Sequence, residues 1–435
     1  MKHSTNTGRL YVVGLAHKYP PYSYNADDFD NLIHRLYPQH ATSIGLQKLM
    51  QVNRRTGINS RRIAFDTSNW TKDDADPPSI DELSQSYRKV GVDLAAAACL
   101  DAIHEACIQA KDITHVVAVT CTDQGNPGYD LHVCQKLGVR PNVQRTLLHG
   151  VGCAGGLSAL RAGATIAGAE SQKGRPARVL VLACEICTLF WRAELLAASL
   201  DDDVHIAPAL FSDGAAAVVL CNDLALEKQQ SPIFELLECG SMSVPETRDY
   251  MSYMIKNNGL IATLTKDVPR TAVGSIIPML DSLCDAARTP RQCDPWVELE
   301  PTKFDWAIHP GGAAILKGAQ QALHLSDDHI RASLDVYRDY GNASSATVLI
   351  VLDKLRHMGK GRDYIVSTSF GPGMIIEMCI LKRCRSEEDS PRTALDLGWK
   401  LHPWLWMHSR MMRLMRDIKG THQIAEKKHN TSLVL

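Results

Sequence analysis

Leu147-Leu148-His149-Gly150-Val151-Gly152-Cys153-Ala154-Gly155-Gly156-Leu157-Ser158-Ala159-Leu160-Arg161-Ala162-Gly163-Ala164 is the stretch that decides the fold. An apolar run ends near Cys153, and glycines stand on both sides of the thiol. A segment of Ala, Leu and Gly with few β-branched residues follows, which predicts a helix packed closely on all sides. Cys153 then occupies a turn feeding a helix N-terminus, where unpaired N–H groups favour an anion. A thiol placed there is expected to have a lowered pKa and to act as a nucleophile. The glycines let a substrate carbonyl come close to the backbone. A buried, inert cysteine in a small-residue helix fits the same stretch.

The 435 residues are many for a single core and suggest two halves side by side, 1–226 and 227–385, with an extension over 386–435. The polar stretch Glu227 to Ser231 marks the division. A charged fraction of 22% and a net charge of −1 argue against a dedicated nucleic-acid binder. The 13 cysteines are scattered and odd in number, which suits a reducing compartment better than a disulfide framework. Cys184-Glu185-Ile186-Cys187 lacks a second CxxC or a His pair, so a metal or redox role there is disfavoured. No apolar leader and no run of membrane-spanning length is present, so a cytoplasmic protein is expected.

Apolar strands alternate with helices along the chain. Tyr11 to Leu15, His115 to Thr120, Val179 to Ala183 and Phe211 to Leu220 read as strands of the first half, with Pro20-Pro21-Tyr22 as a turn. Phe304 to Ile308, Tyr364 to Ser369 and Met374 to Leu381 are their counterparts in the second. Helices are predicted over Val90–Ala110, Ala313–Leu323 and Ala346–Leu355. This alternation is that of a layered α/β fold. Gln47 to Arg62 has a helical pattern carrying Lys48, Arg54, Arg55, Arg61 and Arg62, either a solvated face or an edge for a polyphosphate. Trp399 to Arg416 is rich in Trp, Met, His and Arg. It reads as a segment packed on the body or disordered, with a basic amphipathic helix on a membrane as the other reading.

Three polar residues beside glycines each follow a predicted strand: Cys153, His309 in His309-Pro310-Gly311-Gly312, and Asn342 in Tyr340-Gly341-Asn342-Ala343-Ser344-Ser345. Singly, the histidine reads as a structural hydrogen-bonder and the asparagine as a helix cap. Together they supply a nucleophile, an acid/base and a neutral amide donor, a set suited to acyl transfer through a thioester.

With these motifs and Phe370-Gly371-Pro372-Gly373-Met374, the chain from about Tyr11 to Lys382 resembles the type III polyketide synthases, the chalcone synthase superfamily. The Gly-Cys-Ala-Gly-Gly setting and the longer tail are most similar to the fungal alkylresorcinol and alkylpyrone synthases. The resemblance implies a thiolase-like layered αβαβα fold of two similar halves and a homodimer. It implies Cys153, His309 and Asn342 as catalytic residues, with His309 holding Cys153 in a thiolate–imidazolium pair. It implies acyl-CoA and malonyl-CoA as substrates and no metal or redox cofactor. Phe211 matches a gatekeeping phenylalanine, whereas Ala262 stands where a second one is expected. Cys121, Asn126, Cys187, Phe190, Ser344, Pro372 and Gly373 match positions shaping the substrate cavity. Lys48, Arg54 and Arg55 are the candidate CoA cations. Ser369 stands in place of the signature's first glycine. The small side chain of Ala262 implies a medium- to long-chain fatty acyl starter, closed to an alkylpyrone or alkylresorcinol. The rival readings are a single-condensation ketoacyl synthase III and a non-catalytic acyl-CoA-binding member.

Overall fold

The computed structural model describes residues 8–39, 43–200, 202, 205–256, 259–288 and 295–384. The tail over 386–435, including Trp399 to Arg416, lies outside the described residues.

In chain order, β1 (Leu10–Lys18) is followed by β2 (Tyr22–Tyr24), α1 (Ala26–Leu36), α2 (Ile44–Arg55) and β3 (Arg61–Ile63). The long α3 (Ile80–Glu105) leads to β4 (His115–Val119), α4 (Tyr129–Leu137) and β5 (Gln144–Leu148). Then come α5 (Gly155–Gln172), β6 (Arg178–Ile186), α6 (Trp191–Leu200), the single turn α7 (Ala207–Leu210) and β7 (Asp213–Asn222). The second run comprises β8 (Phe234–Ser243), β9 (Met251–Lys256), β10 (Gly259–Leu264), α8 (Val268–Ala287) and β11 (Phe304–Ile308). It ends with α9 (Ala313–Leu323), α10 (Arg331–Tyr340), α11 (Thr347–Arg356), β12 (Tyr364–Gly371) and β13 (Ile375–Arg383).

Nine strands are hydrogen-bonded in the order β11-β12-β13-β8-β1-β7-β6-β4-β5. The topology repeats. β4 pairs parallel with β6, β6 antiparallel with β7, and β7 antiparallel with β1. In the second run β11, β12, β13 and β8 pair in the same senses. A short antiparallel ladder, Leu10–Val12 against Phe234–Leu236, joins the two sets. Helices α5 and α11 lie against each other and against strands of both runs, whereas α3 covers β1, β6 and β7 and α8 covers β8 and β13. The result is the αβαβα layering expected from the resemblance.

Side-chain alternation builds those layers. Val117 and Val119 of β4 face the middle core, and Val116 and Ala118 face α3. In β6, Val179, Val181 and Ala183 join the middle core while Leu180, Leu182 and Cys184 join the outer one. A strand covered on both faces must be apolar at every position, which is why these segments read as continuous runs. Three sequence expectations need correction, the first being the helix expected over Val90–Ala110, which runs from Ile80 to Glu105. Tyr22 opens a short strand rather than a turn, pairing with Ile63. The helix expected over Gln47–Arg62 ends at Arg55, and Arg61 and Arg62 belong to β3.

Small residues allow the middle layer to close. A Cβ on Gly156 would lie 2.3 Å from the Ser345 carbonyl oxygen, and one on Gly155 2.6 Å from Val119 Cγ2. Gly156→Ala is therefore expected to destabilise the protein by about 1–3 kcal/mol, because the overlap is with backbone and cannot be relieved by a rotamer change. Urea unfolding of the variant and the parent measures this.

Candidate active site

Cys153 sits in the 3₁₀ turn Gly152–Ala154 at the head of α5. Gly152 has φ +46°, in the left-handed region where a side chain is strained, and a Cβ there would strike the Pro372 ring at 2.6 Å. From the other half, Ser344 begins the 3₁₀ turn at the head of α11 and has φ +48°. The two turns meet with Cys153 Sγ 3.5 Å from Ser344 Oγ. The Cys121 thiol, beyond the end of β4, lies 3.7 Å from the same hydroxyl.

Asn342 is buried just before that turn. Its Oδ1 accepts from the Ser344 N–H at 2.8 Å and from Thr347 Oγ1 at 3.2 Å. Both oxygen lone pairs are thereby used, so the amide's remaining capacity is donor, and it favours the Cys153 thiolate. Its backbone is fixed as well, donating to Leu210 O and accepting from Ser212 N, which ties it to the Phe211 segment.

His309 caps β11. Its backbone N–H donates to Thr368 O at 2.8 Å, on the strand that continues to Gly371. Gly371 in turn packs against the Val151 carbonyl and Ala154, on either side of Cys153. The imidazole is 1% exposed and both ring nitrogens lack a hydrogen-bond partner. Burial lowers its pKa to about 3, so the ring is neutral. Burial likewise raises the Cys153 thiol to about 11, against the hydrogen bonds from Ser344 and Asn342 that favour the thiolate. The direction is opposite to the lowering expected from the helix terminus, because burial penalises the thiolate.

Beneath the site lies Glu185, which belongs to the CxxC segment and is fully buried. It accepts from Thr120 Oγ1 (3.1 Å), Thr122 Oγ1 (2.8 Å), the Cys121 N–H (3.0 Å) and Ser345 Oγ. Burial nonetheless raises its pKa, and its charge opposes ionisation of the Cys153 thiol. The two cysteines of the CxxC part company: Cys184 donates to Gly91 O on α3, whereas Cys187 lines the cavity. Among the described residues no cluster of three or more His, Cys, Asp or Glu is placed to hold a metal.

An apolar cavity adjoins Cys153. Cys121, Gly152, Cys187, Phe211, Ala262, Ser344 and Pro372 line it. Met251, Ser252, Tyr253 and Leu264, from the β9–β10 hairpin, complete the wall. Asn126 does not: it is exposed on the loop before Pro127. Phe190 stands one layer back, its ring 5.7 Å edge-to-face from that of Tyr253. Gly373 supports the wall through its backbone, donating to Met251 O.

The cations divide. Arg54 is held by Asp27 and Asp30, both at 2.8 Å, and is not free for a phosphate. Arg61 is buried, bonded to Ala209 O and Asn53 Oδ1 beside the Phe29 ring. Lys48 donates to Asp202 O and Arg55 is exposed, seven residues on along α2.

Sequence reasoning missed Glu185 and Tyr253. For Glu185 a signal existed, a lone carboxylate ending an otherwise apolar strand. The hairpin residues carried none.

Comparison with known proteins bears on this site. The family model for chalcone and stilbene synthases matches at both its N-terminal domain, over residues 5–224, and its C-terminal domain, over 235–385. The type III polyketide synthase pspB of Penicillium soppii is 44% identical over 402 residues, covering 89% of this chain and all of that protein. The acylalkylpyrone synthase csyB of Aspergillus oryzae is 37% identical, over 86% of this chain and 94% of its own. The structure of a type III pentaketide synthase from Neurospora crassa superposes with a TM-score of 0.81 at 38% identity, over 86% of this chain and 99% of that one. CsyB in complex with CoA-SH superposes equally well, at 0.81 and 36% identity over 86% and 100% of the two chains. With the layered fold, the paired turns and these relatives in agreement, the chain belongs to the type III polyketide synthases of the chalcone and stilbene synthase family, acyltransferases that build carbon chains by condensation.

Proposed function

We propose that the protein loads a medium- to long-chain fatty acyl group from its CoA thioester onto Cys153. It then extends that chain with malonyl-CoA by decarboxylative condensation and closes the product to an alkylpyrone or alkylresorcinol. The observation that carries the reading is the meeting of Cys153, Asn342 and Ser344 at the floor of an apolar cavity with Ala262 in its wall.

In the loading step the Cys153 sulfur attacks the acyl-CoA carbonyl, its proton passes to the neutral His309, and the imidazolium returns that proton to the departing CoA thiolate, so that CoA leaves as the thiol and His309 is neutral again. A neutral imidazole with free nitrogens is ready to accept that proton, so the ion pair forms during the reaction. Malonyl-CoA then loses CO₂, the resulting carbanion attacks the acyl thioester, and the Cys153 thiolate is released. The negative charge on the malonyl thioester oxygen is met by His309 and by the Asn342 amide, whose oxygen is already engaged and whose N–H₂ is available to donate. Removing one such donor costs 10²–10³-fold in rate by analogy with other oxyanion sites, an order-of-magnitude figure. These steps use CoA thioesters alone and call for no metal or redox cofactor.

The apolar lining favours an alkyl chain, each buried methylene adding about 0.8 kcal/mol. Lys48 and Arg55, on one face of α2, are proposed to meet the CoA phosphates. A homodimer belongs to the same reading: β5 is an edge strand with exposed Gln144, Arg145 and Thr146, the kind of edge a second copy can pair with.

Product mass spectrometry with labelled malonyl-CoA and starters from acetyl- to stearoyl-CoA tests the reading. Alkylated products are expected and should vanish in Cys153→Ala; a flat kcat/KM across chain length would refute the acyl cavity. Ala262→Phe should lower kcat/KM for long starters at least tenfold more than for short ones. His309→Gln gives a prediction free of substrate. The wild-type imidazole resists protonation when folded (pKa about 3) but not when unfolded (about 6.5), so its contribution to stability is complete above pH 6.5 and shrinks as pH falls towards 3. Between pH 7 and pH 5 the wild type should lose about 2 kcal/mol more than His309→Gln in urea titrations.

A further inference from the structure

We propose that Glu194 is a positioning residue that holds the β9–β10 hairpin against the cavity and thereby sets which acyl chain lengths the enzyme accepts. The inference rests on the reading of this cavity as an acyl site.

The hairpin supplies Met251, Ser252, Tyr253, Ala262 and Leu264 to the cavity wall. Yet β9 and β10 pair with each other and not with the nine-stranded sheet. Met251 and Leu264 pack on the apolar cluster that includes α8, and three further ties hold the hairpin over Cys153. One is the Gly373 N–H to Met251 O, at one end of β9. Another is the ring contact of Tyr253 on Phe190. The third lies mid-strand: the Ala262 N–H donates to Glu194 Oε1 at 2.8 Å.

Glu194 is suited to be an anchor. Its helix α6 is fixed by Trp191, Leu195 and Ala198, which are packed in the core formed with Phe29, Leu32 and Leu36. Its carboxylate is buried, 3% exposed, and the second oxygen is 3.2 Å from His205 Nδ1. His205 lies just before α7, the turn that delivers Phe211 to the opposite side of the cavity. One carboxylate thus ties two segments that each place a wall residue, Ala262 and Phe211. Burial of a carboxylate is costly unless each oxygen is engaged, so the group resists leaving this arrangement. Tyr253 is the direct cross-strand partner of Ala262, so a shift of β10 moves both a small and one of the bulkiest residues in the wall.

The test compares Glu194→Met, which keeps the volume and removes the acceptors, with Glu194→Gln, which keeps an acceptor for the Ala262 N–H. In Glu194→Met, deuterium uptake over residues 251–264 should rise, and the ratio of kcat/KM for long over short acyl-CoA starters should change at least fivefold. Glu194→Gln should retain slow exchange and a ratio within twofold of the wild type. Unchanged uptake in Glu194→Met overturns the anchoring role, and raised uptake with an unchanged ratio overturns the role in selection. If the wild type turns over no acyl-CoA, the acyl-site reading fails, while the exchange comparison still decides whether Glu194 holds the hairpin.

Discussion

The close approach of two turns, one from each half of the chain, is the constraint on which the site depends. The turn carrying Cys153 and the turn carrying Ser344 begin the two central helices, and their contact brings Sγ within 3.5 Å of Oγ. This is possible only because Gly155, Gly156 and Gly371 leave no side chains between the backbones. The same closeness delivers Asn342. Its carbonyl oxygen is consumed in bracing its own turn, so its donor side is presented to the sulfur. A nucleophile from one half and a donor from the other are thus brought into one site by backbone packing rather than by flexible loops.

Enclosure sets the electrostatics. Cys153, His309 and Glu185 are all removed from water, and for each of them burial is the largest influence on ionisation. Burial disfavours the charged form of both the thiol and the imidazole. Glu185 reinforces this by disfavouring the thiolate, while its hydroxyl and backbone donors fix the strand end from which Cys121 projects.

Much of this was legible in the sequence. The apolar runs of β4 and β6 reveal a sheet covered on both faces, and the glycine-flanked Cys153, His309 and Asn342 stand out against them. The helix after Cys153 reads from a run of small residues, and the one after Ser344 from an apolar run free of Gly and Pro. Other features depend on distances that no local pattern encodes. The sign of the Cys153 shift turned on depth of burial, not on the helix terminus that the sequence displays. Arg54 and Arg61 looked alike as cations on one segment, but one is neutralised by α1 and the other lies inside the core. Tyr253 and Glu194 acquire meaning only once β9–β10 folds over the cavity, a contact between segments far apart in the chain.

The central claim is that Cys153 alone among the cavity thiols carries the acyl group. Intact-protein and peptide mass spectrometry after a brief incubation with a long-chain acyl-CoA, without malonyl-CoA, tests it directly. A single acyl adduct confined to the peptide containing Cys153, and absent from those containing Cys121 and Cys187, is predicted. An adduct on either of those neighbours, or none on Cys153, would contradict the account.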